Sequence, residues 1–394
     1  MIGEAAELRR ATRAFIEREL EPMAERVEAD DRVPRPLLER LSQLGYYGLT
    51  IPEEFGGLGL PLSDYLGIVR EFGRTHSAYF QAIDDNNGMG SHLVRAGARP
   101  EIRDRVLREL ASGNEVGCFA LTEPEAGSDA GAVRTVARRD GDEYVLNGRK
   151  HYISNAGWAR YFTVIARTRP LGEQDGRISA FLVERGTSGF SVGRRQEMMG
   201  LRGAAQHELT FDDCRIPASS LLGEEGEGFR EAKGALASGR LVVSAWSLGA
   251  AERALELGVQ YAAVRRQFGR PIGDFQGVQW LIADSATELQ AAGALVERVA
   301  VDVDRGIARG RDAAMAKLFA TEAAGRIADR MLQVHGGAGY SRDLPLERIY
   351  RDLRVQRIIE GTSEVQRMII ATSLLREQTK RAGSSIMGEE GSND

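Results

Sequence analysis

The spacing of apolar residues changes twice along this chain of 394 residues, and that change limits the folds available to it. From residue 5 to about residue 111, apolar residues such as Leu8, Ala11 and Phe15 recur at helical spacing among charged ones. Between residues 115 and 222 short alternating segments take over, and after residue 226 long helical patterns return. Because helices and strands bury their apolar faces differently, this order predicts a multi-domain α+β protein with a β-barrel or sandwich between two helical parts.

The C-terminal part has the pattern of a helical bundle. Val278, Ile282 and Leu289 belong to an amphipathic stripe of the kind that packs in a four-helix bundle. The last helix is predicted from about Thr362 to Thr379, and the Gly/Ser/Glu-rich residues after it are too polar to pack a core. The predicted parts are an N-terminal α-helical domain over 1–116, a middle β-barrel domain over 117–222, a C-terminal four-helix bundle over 223–380 and a disordered tail over 381–394.

Seven segments of the middle region have the length and alternation of β-strands. Asn147-Gly148 lies between two of them and is a strong signal for a two-residue hairpin turn. The predicted strands are 133–139, 143–146, 150–153, 161–167, 178–184, 190–194 and 206–211.

Composition excludes several classes of function. The net charge of −5 does not favour nucleic acid or an anionic membrane as a partner. No apolar run reaches the length of a membrane span, and the charged helical pattern at the start is unlike a signal peptide. Cys118 and Cys214 have no zinc-binding spacing, and no histidines pair, so no metal site is expected. Two isolated thiols are typical of a reducing compartment, and we expect the cytoplasm.

Glu360 is the candidate for chemistry near the C-terminus. It follows two apolar residues, Ile358 and Ile359, and precedes Gly361 and a probable helix start. Apolar surroundings raise the pKa of a carboxyl and suit it to act as a general base. The alternative is a glutamate that only stabilises the helix dipole, and the stretch taken alone favours this alternative.

Four other stretches have residue types suited to ligand binding, each with an ordinary structural alternative. Residues 119–129 bring small and hydroxyl side chains that let backbone amides approach a phosphorylated ligand, or they form a plain interdomain loop. On the following strand, period two puts Tyr152 and Ser154 on one side, which also suits barrel packing. The arginines of 265–271 suit either a pyrophosphate or a solvated surface. The glycines of 333–340 suit either a binding turn or a helix C-cap.

The joint order of these stretches is more informative than any one of them. TEPEAGSD, KHYISNA, RRQFGRP, QVHGGAGY and EGTSEVQ occur in this order, and the set closely resembles the acyl-CoA dehydrogenase family. The resemblance covers the chain from its first helices to about Leu375, and it implies the helical, β-barrel and four-helix-bundle domains of that family. It also implies a non-covalently bound FAD between the barrel and the bundle.

The resemblance assigns residues to the cofactor. Tyr152 stands where the family has an aromatic residue against the flavin ring, and Ser154 where a hydroxyl bonds near flavin N5. The ADP half of the cofactor is held across a subunit boundary in the family, so at least a dimer, and by the family norm a homotetramer built as a dimer of dimers, is implied. The implied cofactor-binding residues are Phe119, Leu121, Thr122, Ser128, Tyr152, Ser154, Arg265, Phe268, Gln276, Gln333, Gly336, Gly337, Thr362, Ser363 and Glu364.

Glu360 matches the family's catalytic base. The resemblance implies that it removes the C2 proton of an acyl thioester while a hydride leaves C3 for flavin N5, giving a trans-2-enoyl thioester. A minority of the family carries the base on a helix at the position of Gly239, where this chain has no carboxylate. Glu364 is the nearby alternative, but its place in the first turn of a helix is better explained by the helix dipole and by cofactor contacts.

The substrate is less well defined by the resemblance. Ser128, Arg240 and Gly361 are the implied substrate contacts. Many family members have an aspartate against the pantetheine arm where this chain has Ala237, so an acyl group on a carrier protein is an alternative to acyl-CoA. Ile359 occupies a place where tyrosine is frequent in the family.

The polar residues 84–87 fall near the boundary of the family's acyl pocket, so we hypothesise a small or polar acyl group. The family's electron acceptor is the electron-transfer flavoprotein. The alternatives to a dehydrogenase are an acyl thioester oxidase of the same fold, which usually has a longer chain, and a non-catalytic scaffold. The set Tyr152, Ser154, Arg265 and Glu360 argues against a scaffold.

Overall fold

The computed structural model describes residues 2–168 and 177–389, and within them the chain is helical, then β, then helical. The predicted fold class is confirmed. The N-terminal helices are α1 (Ile2–Phe15), α2 (Ala24–Asp30), α3 (Arg35–Gln43), α4 (Leu62–Phe72), α5 (Ser77–Asn87), α6 (Met89–Gly97) and α7 (Pro100–Ser112).

The middle strands form one curled sheet. Its hydrogen-bonded order is β6-β7-β3-β2-β4-β5-β8, and β1 pairs in parallel with β4. Phe162 on β4 and Phe190 on β6 lie four strands apart in this order, yet their ring centroids are 4.7 Å apart. The sheet therefore folds back around one apolar core, as a barrel does. The strands are β1 (Gly117–Ala120), β2 (Val136–Asp140), β3 (Glu143–Ile153), β4 (Tyr161–Arg167), β5 (Ile178–Glu184), β6 (Phe190–Arg195), β7 (His207–Pro217) and β8 (Leu221–Leu222).

The hairpin predicted at Asn147-Gly148 is wrong. β3 runs through both residues, and Gly148, with a φ of 150°, lies where the register against β7 shifts. The two-residue signal is a bulge, since a glycine inside a strand also marks an irregularity of the ladder. The turn between β2 and β3 lies instead at Gly141, whose φ is 63°. The short strands β1 and β8 are not among the predicted ones.

Long helices return after the sheet. The middle of α8, from Leu241 to Ala251, is buried on all sides, so it passes through the protein interior. A Cβ added at Gly249 would lie 1.9 Å from the carbonyl oxygen of Arg70, so glycine lets α8 and α4 touch through their backbones. The C-terminal elements are α8 (Gly228–Val264), a hairpin of β9 (Arg266–Gln267) and β10 (Arg270–Pro271), α9 (Gln276–Asp304), α10 (Gly310–His335), α11 (Gly337–Tyr340), α12 (Leu346–Gln356) and α13 (Ser363–Glu389).

The two helical parts share one apolar core. It joins buried residues of α1, α4 and α5 to buried residues of α8, α9, α10 and α12. At the end of the chain, α13 runs to Glu389, so it continues past the predicted end at Thr379 and through most of the segment predicted as a disordered tail. Residues 390–394 lie outside the described residues.

Candidate active site

Glu360 lies in the tight turn that joins α12 to α13. Its own backbone is left-handed, with a φ of 55°, and Gly361 follows with a φ of 90°. Glycine adopts such a conformation freely, whereas for a glutamate it costs about 1 kcal/mol or more. Other contacts must therefore hold this turn in place.

Side chains from three helices bind the carbonyl groups of the turn. Arg240 on α8 donates through Nε to the Glu360 carbonyl at 3.3 Å. Lys317 on α10 donates through Nζ to the Gly361 carbonyl at 3.0 Å. Gln366 on α13 donates through Nε2 to both carbonyls, at 3.0 and 2.8 Å. Arg240, predicted to contact substrate, here contacts the backbone of the candidate base and fixes its position.

Lys317 and Gln366 are parts of the candidate site that the sequence analysis misses. Lys317 is fully buried in the alanine-rich α10, and burial lowers its pKa to about 8, although the charge of Glu360 acts in the opposite direction. A single lysine on an otherwise apolar helix face is the signal that was available, because lysine is rarely buried without a partner. Gln366 gives no such signal, since a glutamine in the second turn of a helix is ordinary.

The Glu360 carboxyl is ready to accept a proton. Its Oε2 atom is buried and has no hydrogen-bond partner among the described residues. Burial, with a smaller contribution from the charge of Asp84, raises the pKa of Glu360 to about 7, although the charges of Arg240 and Lys317 lower it. A carboxyl that titrates near neutral pH is matched to work as a general base in a cell. The direction agrees with the sequence argument.

Gly239 on α8 makes room for this carboxyl. A Cβ added there would lie 3.0 Å from Oε2 and 3.1 Å from Cδ of Glu360. Gly239, the position discussed above as an alternative place for the base, thus faces the candidate base Glu360. Glu364 lies in the first turn of α13, is exposed, and its pKa is lowered by a backbone N–H and by Thr362. Glu364 is therefore a poor candidate for a base.

A cavity of about 180 Å³ lies beside the Glu360 carboxyl. Helices α4, α5, α6 and α8 contribute to its wall. Part of the wall is apolar, and part carries the polar groups of Tyr65, Asp84, Asp85 and Asn87. Three of the four residues 84–87, which the sequence analysis associates with an acyl pocket, therefore line it. The apolar lining residues are Leu60, Leu62, Met89, Ala235, Val242 and Val243.

Tyr152 and Ser154 are not related by strand alternation. The register of β3 against β7 shifts between Lys150 and Ile153, Tyr152 has a left-handed φ of 59°, and the strand ends at Ile153. Ser154 lies in the following turn, so the prediction of a shared strand face is wrong in its premise. The Tyr152 ring is 54% exposed, and its backbone N–H donates to Oε1 of Gln196 at 3.0 Å.

The segment after β1 is held by a buried ion pair. Lys150 donates through Nζ to the Leu121 carbonyl at 2.9 Å and to Oε1 of Glu123 at 2.7 Å. Burial lowers the pKa of Lys150 to about 8. Burial alone would raise the pKa of Glu123, but the charge and hydrogen bonds around it lower the pKa overall. His151 N–H donates to the Thr122 carbonyl at 2.9 Å, so β3 fixes residues 121–123 from one side.

Hydrogen bonds join the barrel to the helix α5 that forms part of the cavity wall. Asn155, directly after Ser154, donates through Nδ2 to Oδ2 of Asp85 at 3.1 Å and to the Gln81 carbonyl at 2.7 Å. Because Asp85 also lines the Glu360 cavity, the turn that carries Ser154 lies against the helix that forms the cavity wall. Oδ1 of Asn155 is buried without a partner among the described residues, and so remains available to a ligand.

The remaining predicted residues lie in two groups. Thr362 caps α13, since its Oγ1 accepts from the Val365 N–H at 3.3 Å, and Ser363 donates to Oε1 of Glu322 at 2.6 Å. Ser128 is exposed in the loop after β1, and Phe119 is half-buried on β1. The second group is exposed on the C-terminal helices, their ends and the β9–β10 hairpin, and is not among the residues that line the Glu360 cavity: Arg265, Phe268, Gln276, Gln333, Gly336 and Gly337.

The site is a buried carboxyl with a raised pKa beside a cavity, in a chain that joins a β-barrel to helical parts. Three domains of one family match the chain in order. The acyl-CoA dehydrogenase N-terminal domain matches residues 3–114, the middle domain 118–214 and the C-terminal domain 226–375. The chain belongs to the acyl-CoA dehydrogenase family and is an oxidoreductase acting on CH–CH bonds, so the resemblance is confirmed.

Individual relatives are similar to this chain over nearly its whole length. It is 43% identical over 371 residues to an acryloyl-CoA reductase (NADH) of Anaerotignum propionicum, with 94% of both chains covered. It is 41% identical over 372 residues to an acyl-CoA dehydrogenase of Bacillus subtilis (strain 168), with 94% of this chain and 98% of that one covered.

Solved structures are similar to this chain as well. Butyryl-CoA dehydrogenase from Megasphaera elsdenii matches with a TM-score of 0.90 at 33% identity, over 94% of this chain and 98% of that one. A structure described as the electron transferring flavoprotein of Acidaminococcus fermentans matches with a TM-score of 0.91 at 37% identity, over 94% and 98% of the chains. Members of the family are flavoproteins. Among the described residues, no helix has the length and apolar character to cross a membrane.

Proposed function

We propose that this chain is an FAD-dependent acyl-CoA dehydrogenase in which Glu360 removes the C2 proton of an acyl thioester. The observation that carries the proposal is the Glu360 carboxyl itself. It has a buried oxygen with no hydrogen-bond partner among the described residues and a pKa of about 7, and it borders a cavity of about 180 Å³. Such a group binds a proton from a weak carbon acid better than an exposed carboxyl does.

Other residues of this chain suit the positioning of Glu360 and the stabilisation of the enolate that forms when the proton leaves. Arg240, Lys317 and Gln366 hold the turn that carries Glu360, so the carboxyl keeps one position relative to the cavity. A developing enolate oxygen needs donors that are in place before the reaction, and backbone N–H groups of this fixed turn supply that kind of donor. When bound, FAD supplies the hydride acceptor.

The residues present fit FAD. Residues 119–122, fixed by Lys150 and His151, and the turn after Tyr152 offer backbone groups and an exposed aromatic ring on the barrel side. Gly336 and Gly337 are exposed, and nothing lies within 4 Å of a Cβ built on either of them, so a cofactor has room to reach their backbones.

The exposed group also supports an assembly. Phe268 is 93% exposed on the β9–β10 hairpin, with a left-handed φ of 50°. An aromatic ring presented in this way suits a contact with a second copy of the chain. We therefore propose that the exposed cofactor residues serve a neighbouring subunit, within a homotetramer that acts in the cytoplasm.

The direction of the reaction and the electron partner are further parts of the proposal. The likeness to an electron transferring flavoprotein structure supports such a flavoprotein as the acceptor. The likeness to an acryloyl-CoA reductase favours a second candidate, in which the same site reduces a 2-enoyl thioester and Glu360 gives the proton back to C2. Acyl-carrier thioesters and oxygen remain the alternative substrate and acceptor.

The test is anaerobic bleaching of the bound flavin by acyl thioesters. We expect absorbance near 450 nm, a region typical of oxidised flavin, to fall on mixing with a saturated acyl thioester, and a trans-2-enoyl thioester to form. Adding the 2-enoyl thioester to reduced enzyme tests the reverse direction. If neither a CoA nor a carrier-protein thioester changes the flavin spectrum, the proposed function is wrong.

A further inference from the structure

We propose that the cavity beside Glu360 selects an acyl group that carries a protonated amine. This inference rests on the proposed function and names the substrate class of the same site. It is carried by the side chains of Tyr65, Asp84 and Asp85, which line one cavity together with Glu360.

Two carboxyl groups of the cavity wall form no ion pair among the described residues. Asp84 and Asp85 are consecutive residues of α5, and no ion pair within 4.0 Å joins either of them to a described basic side chain. Asp85 accepts a hydrogen bond from the Asn155 amide at 3.1 Å, and a backbone hydrogen bond of Phe119 also lowers its pKa. No described group donates to the Asp84 carboxyl. Burial raises the pKa of Asp84 to about 7, as expected for a carboxyl that lacks a partner.

An independent observation on another helix points to a ligand. Tyr65 on α4 is 1% exposed, and its hydroxyl has no hydrogen-bond partner among the described residues. The ring lines the same cavity, and burial together with the charges of Asp84 and Asp85 raises its pKa. Buried hydroxyls are almost always paired, so this one is best explained as a group that a bound molecule completes.

The other charged groups of the wall do not replace that molecule. Arg95 donates through Nη1 to the Thr50 carbonyl at 3.3 Å, and the distance from its Nη2 to Nδ1 of His92 is 3.4 Å. Burial lowers the pKa of Arg95, and burial with the charge of Arg95 lowers the pKa of His92, although the charge of Glu231 acts in the opposite direction. Glu360 adds a third carboxyl to the cavity.

The polar groups of the cavity wall favour an acyl group with an amine over an alkyl acyl group or one with a second carboxylate. An alkyl chain would leave the Tyr65 hydroxyl and the Asp84 carboxyl unpaired. An acyl group with a second carboxylate would raise the pKa values of Asp84, Asp85 and Glu360 further, because a like charge favours the protonated form, and Glu360 would then be a poorer base. An ammonium group donates up to three hydrogen bonds and accepts none, which matches two carboxyls and a hydroxyl oxygen.

The experiment compares thioesters of equal size on the FAD-loaded enzyme. Pantetheine thioesters serve, because CoA and carrier proteins share that arm. The pairs are 3-aminopropanoyl against butanoyl and 5-aminopentanoyl against hexanoyl, with glutaryl as the anion. For at least one amine we expect kcat/KM for flavin bleaching to be about tenfold or more above that of its alkyl partner, and the dissociation constant from calorimetric titration to be about tenfold or more below it. Equal or better values for both alkyl partners, or for glutaryl, would overturn the inference.

Amino-acid substitutions test which side chains cause the preference for an amine. Asp84→Asn keeps the size of the side chain and is expected to reduce the amine-to-alkyl ratio about tenfold, as is Tyr65→Phe to a smaller extent. The matched control is Asp104→Asn on the exposed side of α7, where the carboxylate pairs with Arg108, and it should leave the ratio as in the wild type. An amine preference that survives Asp84→Asn would overturn the assignment.

The two proposals fail in different ways. If alkyl thioesters bleach the flavin and amines are not preferred, the amine inference is wrong and the proposed dehydrogenase stands. If no thioester bleaches the flavin, the proposed function is wrong, and the dissociation constants still decide whether the cavity prefers an amine.

Discussion

Replacing Gly239 by alanine tests how closely the base is placed. The added Cβ would lie 3.0 Å from Oε2 and 3.1 Å from Cδ of Glu360, whereas ordinary contacts begin at 3.4 Å. The carboxyl is the far end of a flexible side chain, so it can move by about 0.4 Å while the backbone stays in place. A misplacement of about 1 Å costs about a hundredfold in rate, so we expect flavin reduction to slow by roughly fivefold to tenfold.

The same helix supplies the control. Gly234 also lies in α8, and nothing is within 4 Å of a Cβ built there. Both alanines should gain about 0.5–1 kcal/mol of helix stability, because glycine is a poor helix former. Stopped-flow bleaching and thermal unfolding of both variants therefore separate the rate from the stability. If Gly239→Ala reduces the flavin as fast as Gly234→Ala, the carboxyl is not held where the reaction needs it.

Three further predictions concern charges around the site. Lys317→Met removes a charge that lowers the pKa of Glu360. The midpoint of the pH profile of the flavin-reduction rate should therefore move above the wild-type value near 7, and an unchanged midpoint would contradict this prediction. Lys150→Met leaves the carboxylate of Glu123 buried without its cation and should destabilise the protein by about 3 kcal/mol in denaturant unfolding, with partial recovery on adding Glu123→Gln. Asp84 has a folded-state pKa near 7, above its unfolded value, so its contribution to stability is present at low pH and is lost as pH rises from about 4 to 7. Asp84→Asn should therefore raise the unfolding midpoint relative to the wild type more at pH 8 than at pH 5, and equal shifts would count against a buried Asp84.

The sequence was sufficient for the order of the domains and for the candidate base. Apolar periodicity reports which face of an element is buried, so it predicts the helical, barrel and helical parts. The motif around Glu360 identifies a carboxyl between apolar residues and a glycine. Neither signal reports backbone handedness, so the left-handed turn at Glu360 and the bulge at Gly148 appear only in the structure.

Long-range contacts are the other part that the sequence does not predict. Lys317 and Gln366 reach the Glu360 turn from different helices, and nothing in their local sequence specifies that distance. Asp84 and Asp85 are visible as a polar cluster, but only the fold brings them into one cavity with Tyr65 and the base. The partner of a polar residue cannot be predicted from its local sequence, because the partner lies on another helix and comes close only when the helices pack.

The most direct measurement is the rate of anaerobic flavin reduction by Glu360→Gln, which keeps the size of the side chain and removes the base. Loss of general-base catalysis predicts a fall of about a hundredfold to ten-thousandfold, with the thioester still bound. The control is Glu39→Gln on the exposed face of α3, where the carboxylate pairs with Arg35 on the surface, and it should reduce its flavin at the wild-type rate. Glu360→Gln reducing the flavin as fast as the wild type, or a Glu364→Gln variant losing the reaction while Glu360→Gln keeps it, would contradict the assignment of Glu360 as the base.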